Sequence, residues 1–226
     1  MNKRIIVLGA SQGIGAALVQ RFAAMPKTEV IALSRNLAKM QAQFQQTNVN
    51  CLALDISQNV GAQLKELQLQ APFDILINNA GLLINKPFES LTHQDFIESY
   101  QVNVIGIMEA TQALLPSLAP NAHIVNISSM GGFQGSQKFA GLAAYSTSKA
   151  ALCAFTELFA EEYKSGGIHM NCLCLGAVQT EMLESAFPGY TAPTSAEQMA
   201  QFIADFALYS GAYFNGKILP VSSTNP

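Results

Sequence analysis

The sequence predicts a doubly wound α/β domain in which about seven parallel strands carry helices on both faces. Three observations predict it. Short β-branched runs alternate with longer stretches of helical character. The first run passes through a glycine-rich turn straight into a helical pattern. No Pro- or Ser-rich linker, composition break or fixed-period repeat divides the 226 residues, so one domain over 1–226 is expected.

The strands, in order, are expected at 4–8, 29–33, 49–54, 74–77, 123–127, 169–175 and 217–220. Such apolar runs suit a sheet sandwiched between helices. Helices are expected at 13–24, 37–46, 61–69, 94–118, 145–164 and 196–209. The opening Met1-Asn2-Lys3-Arg4 followed by Ile5-Ile6-Val7-Leu8 imitates a signal peptide only briefly. Its apolar run falls short of the roughly 7–15 residues of a signal core, and the polar pair Ser11-Gln12 soon interrupts it. A buried first strand is the expectation. Segments 96–118 and 150–159 are apolar over more than one helical stripe and carry little charge. Packing on the sheet accounts for part of this, and a helical interface in a homodimer or homotetramer accounts for the rest.

Half of the residues are hydrophobic and only 12% are charged, against about 25% in ordinary globular domains. That balance predicts a large core and further apolar surface covered by other subunits. The net charge is −3 and Lys and Arg are scattered, which excludes a basic nucleic-acid face. No apolar stretch reaches the roughly 18 residues of a membrane span. A cytoplasmic protein acting on a small molecule is expected, with neither nucleic acid nor membrane as partner. Cys172 and Cys174 would share one strand face, but no second Cys/His cluster with zinc spacing accompanies them. They read as buried thiols, and no metal is expected. His93, His123 and His169 stand far apart in sequence and read as structural or solvated.

After the first strand comes Gly9-Ala10-Ser11-Gln12-Gly13-Ile14-Gly15, opening a helix. A strand, a glycine turn and a helix N-terminus aim backbone N–H groups and the positive helix end at a pyrophosphate. Gly9 allows the tight turn, Gly13 the close approach of phosphate, and Gly15 the packing of helix on strand. The second strand ends in Leu33-Ser34-Arg35, with no acid to accept from a ribose 2′-hydroxyl; Glu29 lies at the opposite end. Arg35 is the one suitable cation there for a 2′-phosphate, with Ser34 as an extra donor, so NADP(H) is preferred over NAD(H).

With Asp55-Ile56 after the third strand and Asn78-Asn79-Ala80-Gly81 after the fourth, the chain resembles the single-domain short-chain dehydrogenase/reductase family over nearly its whole length. The resemblance implies a Rossmann-type fold. It implies contacts of Asp55 and Ile56 with the adenine end of NADP(H), and of Asn79, Ala80 and Gly81 beside the ribose. Gly176, Val178 and Thr180 are assigned by it to the nicotinamide end. Leu175 stands where the family usually has proline, which puts the rigidity of that loop in question. The tail through Ser222-Ser223 lacks the usual V-D-G-G ending.

Tyr145 and Lys149 lie at i and i+4 at the start of a helix, on one face. An ammonium and a positive nicotinamide beside a phenol favour phenolate and make Tyr145 a usable acid/base. The preceding strand ends in Ser128-Ser129, where α/β ligand sites lie. The resemblance selects Ser129 as the donor to the substrate oxygen and leaves Ser128 structural. It adds Asn103 to the catalytic set, through its backbone and a water, and makes the bound Tyr145 and Lys149 part of the cofactor site. Ser129 precedes Tyr145 by sixteen residues, longer than the family's common interval. Substrate walls are expected from 131–141 and from a lid over 181–194. That lid holds Met182, Leu183, Phe187 and Tyr190 but no Arg or Lys, which disfavours a multiply anionic substrate. The implied reaction is hydride transfer between nicotinamide and a carbonyl or alcohol, as in a ketoreductase or carbonyl reductase. Two alternatives stand beside it: an epimerase or dehydratase of the extended relatives, and a non-catalytic NADP(H)-binding regulator or scaffold on the same fold.

Overall fold

The computed structural model describes residues 2–70 and 72–222. Met1 of the opening run and Ser223 of the tail lie outside them. In chain order the elements are β1 (Lys3–Leu8), α1 (Gly13–Ala23), β2 (Thr28–Ser34), α2 (Leu37–Gln43), β3 (Val49–Ala53), α3 (Val60–Glu66) and β4 (Phe73–Asn78). They continue with α4 (His93–Tyr100), a π-helical turn (Gln101–Ile105), α5 (Gly106–Leu114), β5 (Leu118–Ser129), α6 (Ala143–Glu162) and β6 (His169–Leu175). The last are β7 (Val178–Gln179), α7 (Glu181–Ala186), β8 (Thr194–Ser195), α8 (Ala196–Tyr209) and β9 (Ile218–Val221). Among the described residues no helix is long and apolar enough to cross a membrane.

Seven strands form one parallel sheet in the order β3-β2-β1-β4-β5-β6-β9. Successive strands step outward from β1 in one direction and then, from β4, in the other. Between β1 and β4 the connections therefore leave to opposite sides, and a crevice opens beyond the strand C-termini. The strand period of two assigns alternate residues to two cores. Ile5, Val7, Val30, Ala32, Ile75 and Ile77 pack with α1, α2 and α8 on one face. Ile6, Leu8, Ile31, Leu33, Leu76 and Ile124 pack with α3, α5 and α6 on the other. All twelve are at most 6% exposed, and each large one contributes about 1.5–3 kcal/mol by leaving water.

Four differences from the sequence expectation matter for the site. The helix expected over 94–118 is broken at 101–105 by one wide turn, and its last residue, Leu118, already begins β5. A short helix, α7, opens the expected lid, and β8 at the end of the lid pairs with β7 just before it. The sheet has β3 at one edge and β9 at the other, and Pro220 sits within β9, tolerable because only β6 flanks that strand. Finally, His123 and His169, far apart in sequence, are partners across β5 and β6.

Leu175 answers the question of loop rigidity. It stays in the ladder between Ser129 and Val221, and the next amide, Gly176, donates to the Val221 carbonyl at 2.9 Å. A Cβ on Gly176 would come within 2.6 Å of the Ser222 hydroxyl. Strand pairing and close packing hold this segment without the fixed φ of a proline.

Candidate active site

A cleft of about 1480 Å³ lies over the strand C-termini at the β1/β4 crevice. At one end is the glycine turn. Gly9 has φ +78, and a Cβ there would meet the Ala80 backbone at 2.7 Å. The Asn79 amide donates to the Gly9 carbonyl at 3.0 Å, tying the two strand ends together. Gly15 is not in the cleft wall; a Cβ on it would collide with the Gly9 carbonyl, so its task is helix–strand packing. Gln12 precedes α1 without a side-chain cap and the first turn carries no acid. By contrast, Thr92 and Ser195 close the N-termini of α4 and α8 with capping boxes. The open amides of α1 therefore suit a phosphate.

Ser11, Gln12, Gly13, Ile14, Ser34, Arg35, Asp55, Ile56, Ala80 and Gly81 all line the same cleft. The Ser34 hydroxyl donates to Ser11 at 2.9 Å, and Glu29 is spent on Arg4 at the far strand end, 2.8 Å away. Burial pulls the Asp55 carboxyl upward, but the Ser57 hydroxyl and N–H, with Arg35 beyond, outweigh it and keep it low. Lys39 also lines this end, so Arg35 is not the one cation there as the sequence suggests. Asn36 caps α2 by accepting from the Lys39 N–H at 3.0 Å, which turns that lysine toward Gln12. Its spacing of four from Arg35 was the signal.

At the other end stand Ser129, Tyr145 and Lys149. Ser129 ends β5, and its oxygen is fixed by the Gly131 N–H at 3.1 Å. The loop presses on α6 here: a Cβ on Gly131 would lie 2.6 Å from the Ser146 hydroxyl, which would have to turn away, and one on Gly132 would lie 2.6 Å from the Lys149 backbone. Ser128 also borders the cleft, but its hydroxyl donates to the Lys149 carbonyl at 2.9 Å. Lys149 is buried, with Nζ donating to the Ile127 carbonyl at 2.8 Å and lying 6.0 Å from the Tyr145 ring centre. Burial brings its pKa down to about 8.

Tyr145 is itself buried, and burial of the phenolate outweighs the favourable contact with Ser129 and raises its pKa. The lowering expected from an ammonium and a positive nicotinamide together belongs to the cofactor-bound state; in the protein alone the Lys149 ammonium is turned toward the Ile127 carbonyl. Asn103 is outside the cleft wall. It lies in the π-helical turn, fully buried, and its side chain accepts from the Leu82 N–H and donates to the Leu82 carbonyl, both at 2.8 Å. A second donation, 2.9 Å, reaches Ser148 beside Lys149. A π-helical turn of this kind commonly marks a functional position.

Gly176, Val178 and Thr180 line the cleft below the lid. Thr180 caps α7 and approaches Gly13, where a Cβ would lie 3.1 Å from its methyl group. Met182, Leu183, Phe187 and Tyr190 face the cleft as expected, joined by Phe139 and by Ile97 of α4. The contribution of α4 is not visible in the sequence. Asn85 holds the lid to the loop after β4 by donating to the Ala186 carbonyl at 2.9 Å. Lys138 spends its charge on the Gly131 and Phe133 carbonyls, at 3.1 and 2.6 Å.

Comparison with known proteins gives a consistent picture. Residues 3–191 match the family model described as short chain dehydrogenase. The ketoacyl reductase HetN of Nostoc sp. is 32% identical over 192 residues, covering 80% of this chain and 66% of HetN, just under two thirds of its length. A short chain dehydrogenase from Salmonella enterica serovar Typhi superposes with TM-score 0.88 at 27% identity, covering 97% of this chain and 96% of the other. One from Burkholderia cenocepacia, in complex with NADP, gives TM-score 0.84 at 25% identity, covering 97% and 96%.

Proposed function

Since the chain belongs to the short chain dehydrogenase family, we propose that it is an NADP(H)-dependent oxidoreductase acting on a carbonyl or alcohol substrate, as a ketoreductase or carbonyl reductase. The observation that carries this reading is that one cleft has an uncapped glycine turn at one end and Ser129, Tyr145 and Lys149 together at the other. NADP(H), when bound, supplies or accepts the hydride at the substrate carbon. Arg35 and Lys39, with Ser34 and Ser11 between, favour a 2′-phosphate. The NADP bound by the Burkholderia protein points the same way.

The residues divide the remaining work. Ser129, oriented by Gly131, donates to the substrate oxygen. Tyr145, kept protonated by its burial, is suited to donate a proton to that oxygen in reduction. Lys149 presents its ammonium to ribose hydroxyls and supports phenolate after the proton has left. In oxidation Tyr145 takes the proton instead, which requires the nearby positive charge to bring its pKa down. Phe139, Phe187 and Tyr190 favour a substrate with an apolar body.

The test follows NADPH oxidation against ketones, aldehydes, quinones and acyl thioesters. Turnover of at least one, lost by about 10²–10⁴ in Tyr145→Phe with cofactor affinity kept, is expected. Lys149→Met should lose turnover and cofactor affinity together. A cofactor-saturated wild type inert toward every class would favour the regulator or scaffold reading instead.

A further inference from the structure

Behind the catalytic pair, on the side away from the cleft, three thiols converge. Cys153 sits one helical turn after Lys149 on α6, and Cys172 and Cys174 point from β6 to meet it. Sequence spacing exposed only the C-x-C pair; the third member comes from another element. The Cys153 sulfur is 3.8 Å from that of Cys172 and 3.6 Å from that of Cys174, and all three lie within 4.8 Å of one another. None is in a disulfide, and all are buried. The Ser128 hydroxyl touches the group, 3.6 Å from Cys153 and in contact with Cys174.

We propose that Cys153, Cys172 and Cys174, with the Ser128 hydroxyl at the fourth corner, form a structural zinc site that ties α6 to β5 and β6 beneath the active site.

Geometry supports the assignment. Zn–S bonds of about 2.3 Å at tetrahedral angles place sulfurs about 3.8 Å apart, and a Zn–O bond of about 2.1 Å places the oxygen about 3.6 Å from each sulfur. The three edges that meet at Cys153, 3.8 Å to Cys172, 3.6 Å to Cys174 and 3.6 Å to the Ser128 oxygen, have these lengths, and the Cys172 and Cys174 sulfurs lie within 4.8 Å of each other. Because Ser128 gives its proton to the Lys149 carbonyl, its lone pairs are free to face the metal. The donor set, three sulfurs and one neutral oxygen without carboxylate, selects a borderline-soft cation over magnesium or calcium. Charge agrees: three thiolates, one divalent ion and the Lys149 ammonium sum to zero, which a buried cluster needs. Met130, Phe133 and Ile218 pack around the group and its three cysteines are buried, which suits a structural, four-coordinate site. On loading, three S–H bonds are exchanged for three Zn–S bonds and three protons leave to solvent, with no redox change.

The test produces the chain in cells grown with zinc or with cobalt, so that metal meets the site as it folds. One zinc per chain is expected. Cobalt-grown protein should show the visible bands of tetrahedral cobalt with thiolate charge transfer. Cys51→Ser, on β3 outside the group, should keep both signatures. Cys153→Ala and Cys174→Ala should each reduce metal to background, while Ser128→Ala should shift the cobalt bands and weaken cobalt by about tenfold or more. Wild-type protein without metal above background, or tetrahedral cobalt persisting in Cys153→Ala, would overturn the proposal. The wild-type measurement decides even where a variant fails to fold.

Discussion

Asn103 and Leu82 exchange a reciprocal pair of hydrogen bonds, both 2.8 Å, so that one helical side chain completes the backbone of the loop after β4. The π-helical turn makes this reach possible by widening the helix just where Asn103 stands. Asn103→Ala leaves the Leu82 N–H and carbonyl, part-buried at the cleft wall, and the buried Ser148 hydroxyl without their side-chain partner. Each such group costs about 1–3 kcal/mol, so a loss of about 2–4 kcal/mol is expected in urea unfolding. Turnover should fall as well, because Ser148 and the loop around Gly81 lie beside Lys149. A stability within 0.5 kcal/mol of wild type, on the order of an innocuous surface change, would leave the pair without structural weight.

Cofactor choice rests on two cations. Arg35→Ala should weaken NADPH binding by about 1.5–3 kcal/mol and leave NADH nearly unchanged. Lys39→Ala should do the same in smaller measure, about 0.5–1 kcal/mol, because an exposed ammonium lacks the bidentate fork of the guanidinium. Fluorescence titration with both cofactors measures this. Equal losses for NADH and NADPH would remove the 2′-phosphate from this end of the cleft.

His123 makes the fold acid-sensitive. Burial, chiefly, brings its pKa from 6.5 to about 4, while one ring nitrogen faces the Ala207 carbonyl and the other the Asn171 amide, both at 3.0 Å. The folded state thus holds the ring neutral where the unfolded chain would protonate it. That stability, on the order of 3 kcal/mol, is full above pH 6.5 and is lost as pH falls toward 4. Unfolding measured across this window should slope accordingly, and His123→Gln should flatten the slope. An unchanged slope in the variant would assign it to other groups.

The apolar helices predict self-association. Ile105 at the end of the π-helical turn, Met108 on α5 and Leu158 on α6 are 43%, 41% and 71% exposed in the single chain. Light scattering should report a dimer or tetramer of the 24.2 kDa chain. Met108→Glu with Leu158→Glu should shift it toward monomer. A wild-type species of one chain mass at micromolar concentration would reject this.

Much of the fold was legible because its signals are local. Apolar runs marked all seven strands of the sheet, and glycines with positive φ or close backbone neighbours marked the turn after β1. Gly9, Ser129, Tyr145 and Lys149 could be ordered along one sheet edge from sequence alone. What escaped depends on convergence. Apolar periodicity runs through Gln101–Ile105 without announcing the wide turn, since one inserted residue changes phase and not composition. The strand expected at 123–127 begins five residues earlier, and β5 runs through Pro120 and Asn121. Cys153 meets its partners only once α6 lies on β6. The raised pKa of Tyr145 follows from burial, which the Y-x-x-x-K pattern does not encode.

The staple that Lys138 makes to the Gly131 and Phe133 carbonyls belongs to a loop, whereas Ser129 and Tyr145 belong to a strand end and a long helix. The lid likewise hangs on the backbone carbonyl of Ala186, a group that every residue type at that position supplies. Inheritance can therefore act on the two parts separately. Descendants can exchange the side chains of 133–140, Lys138 apart, and of 181–194, or lengthen these stretches, and so acquire new substrates while Gly131 and Gly132 stay packed on α6 and the hydride chemistry passes down unaltered. Laboratory evolution of selectivity has the same natural boundary: diversity confined to those two segments leaves the proton donor and its supports where they are.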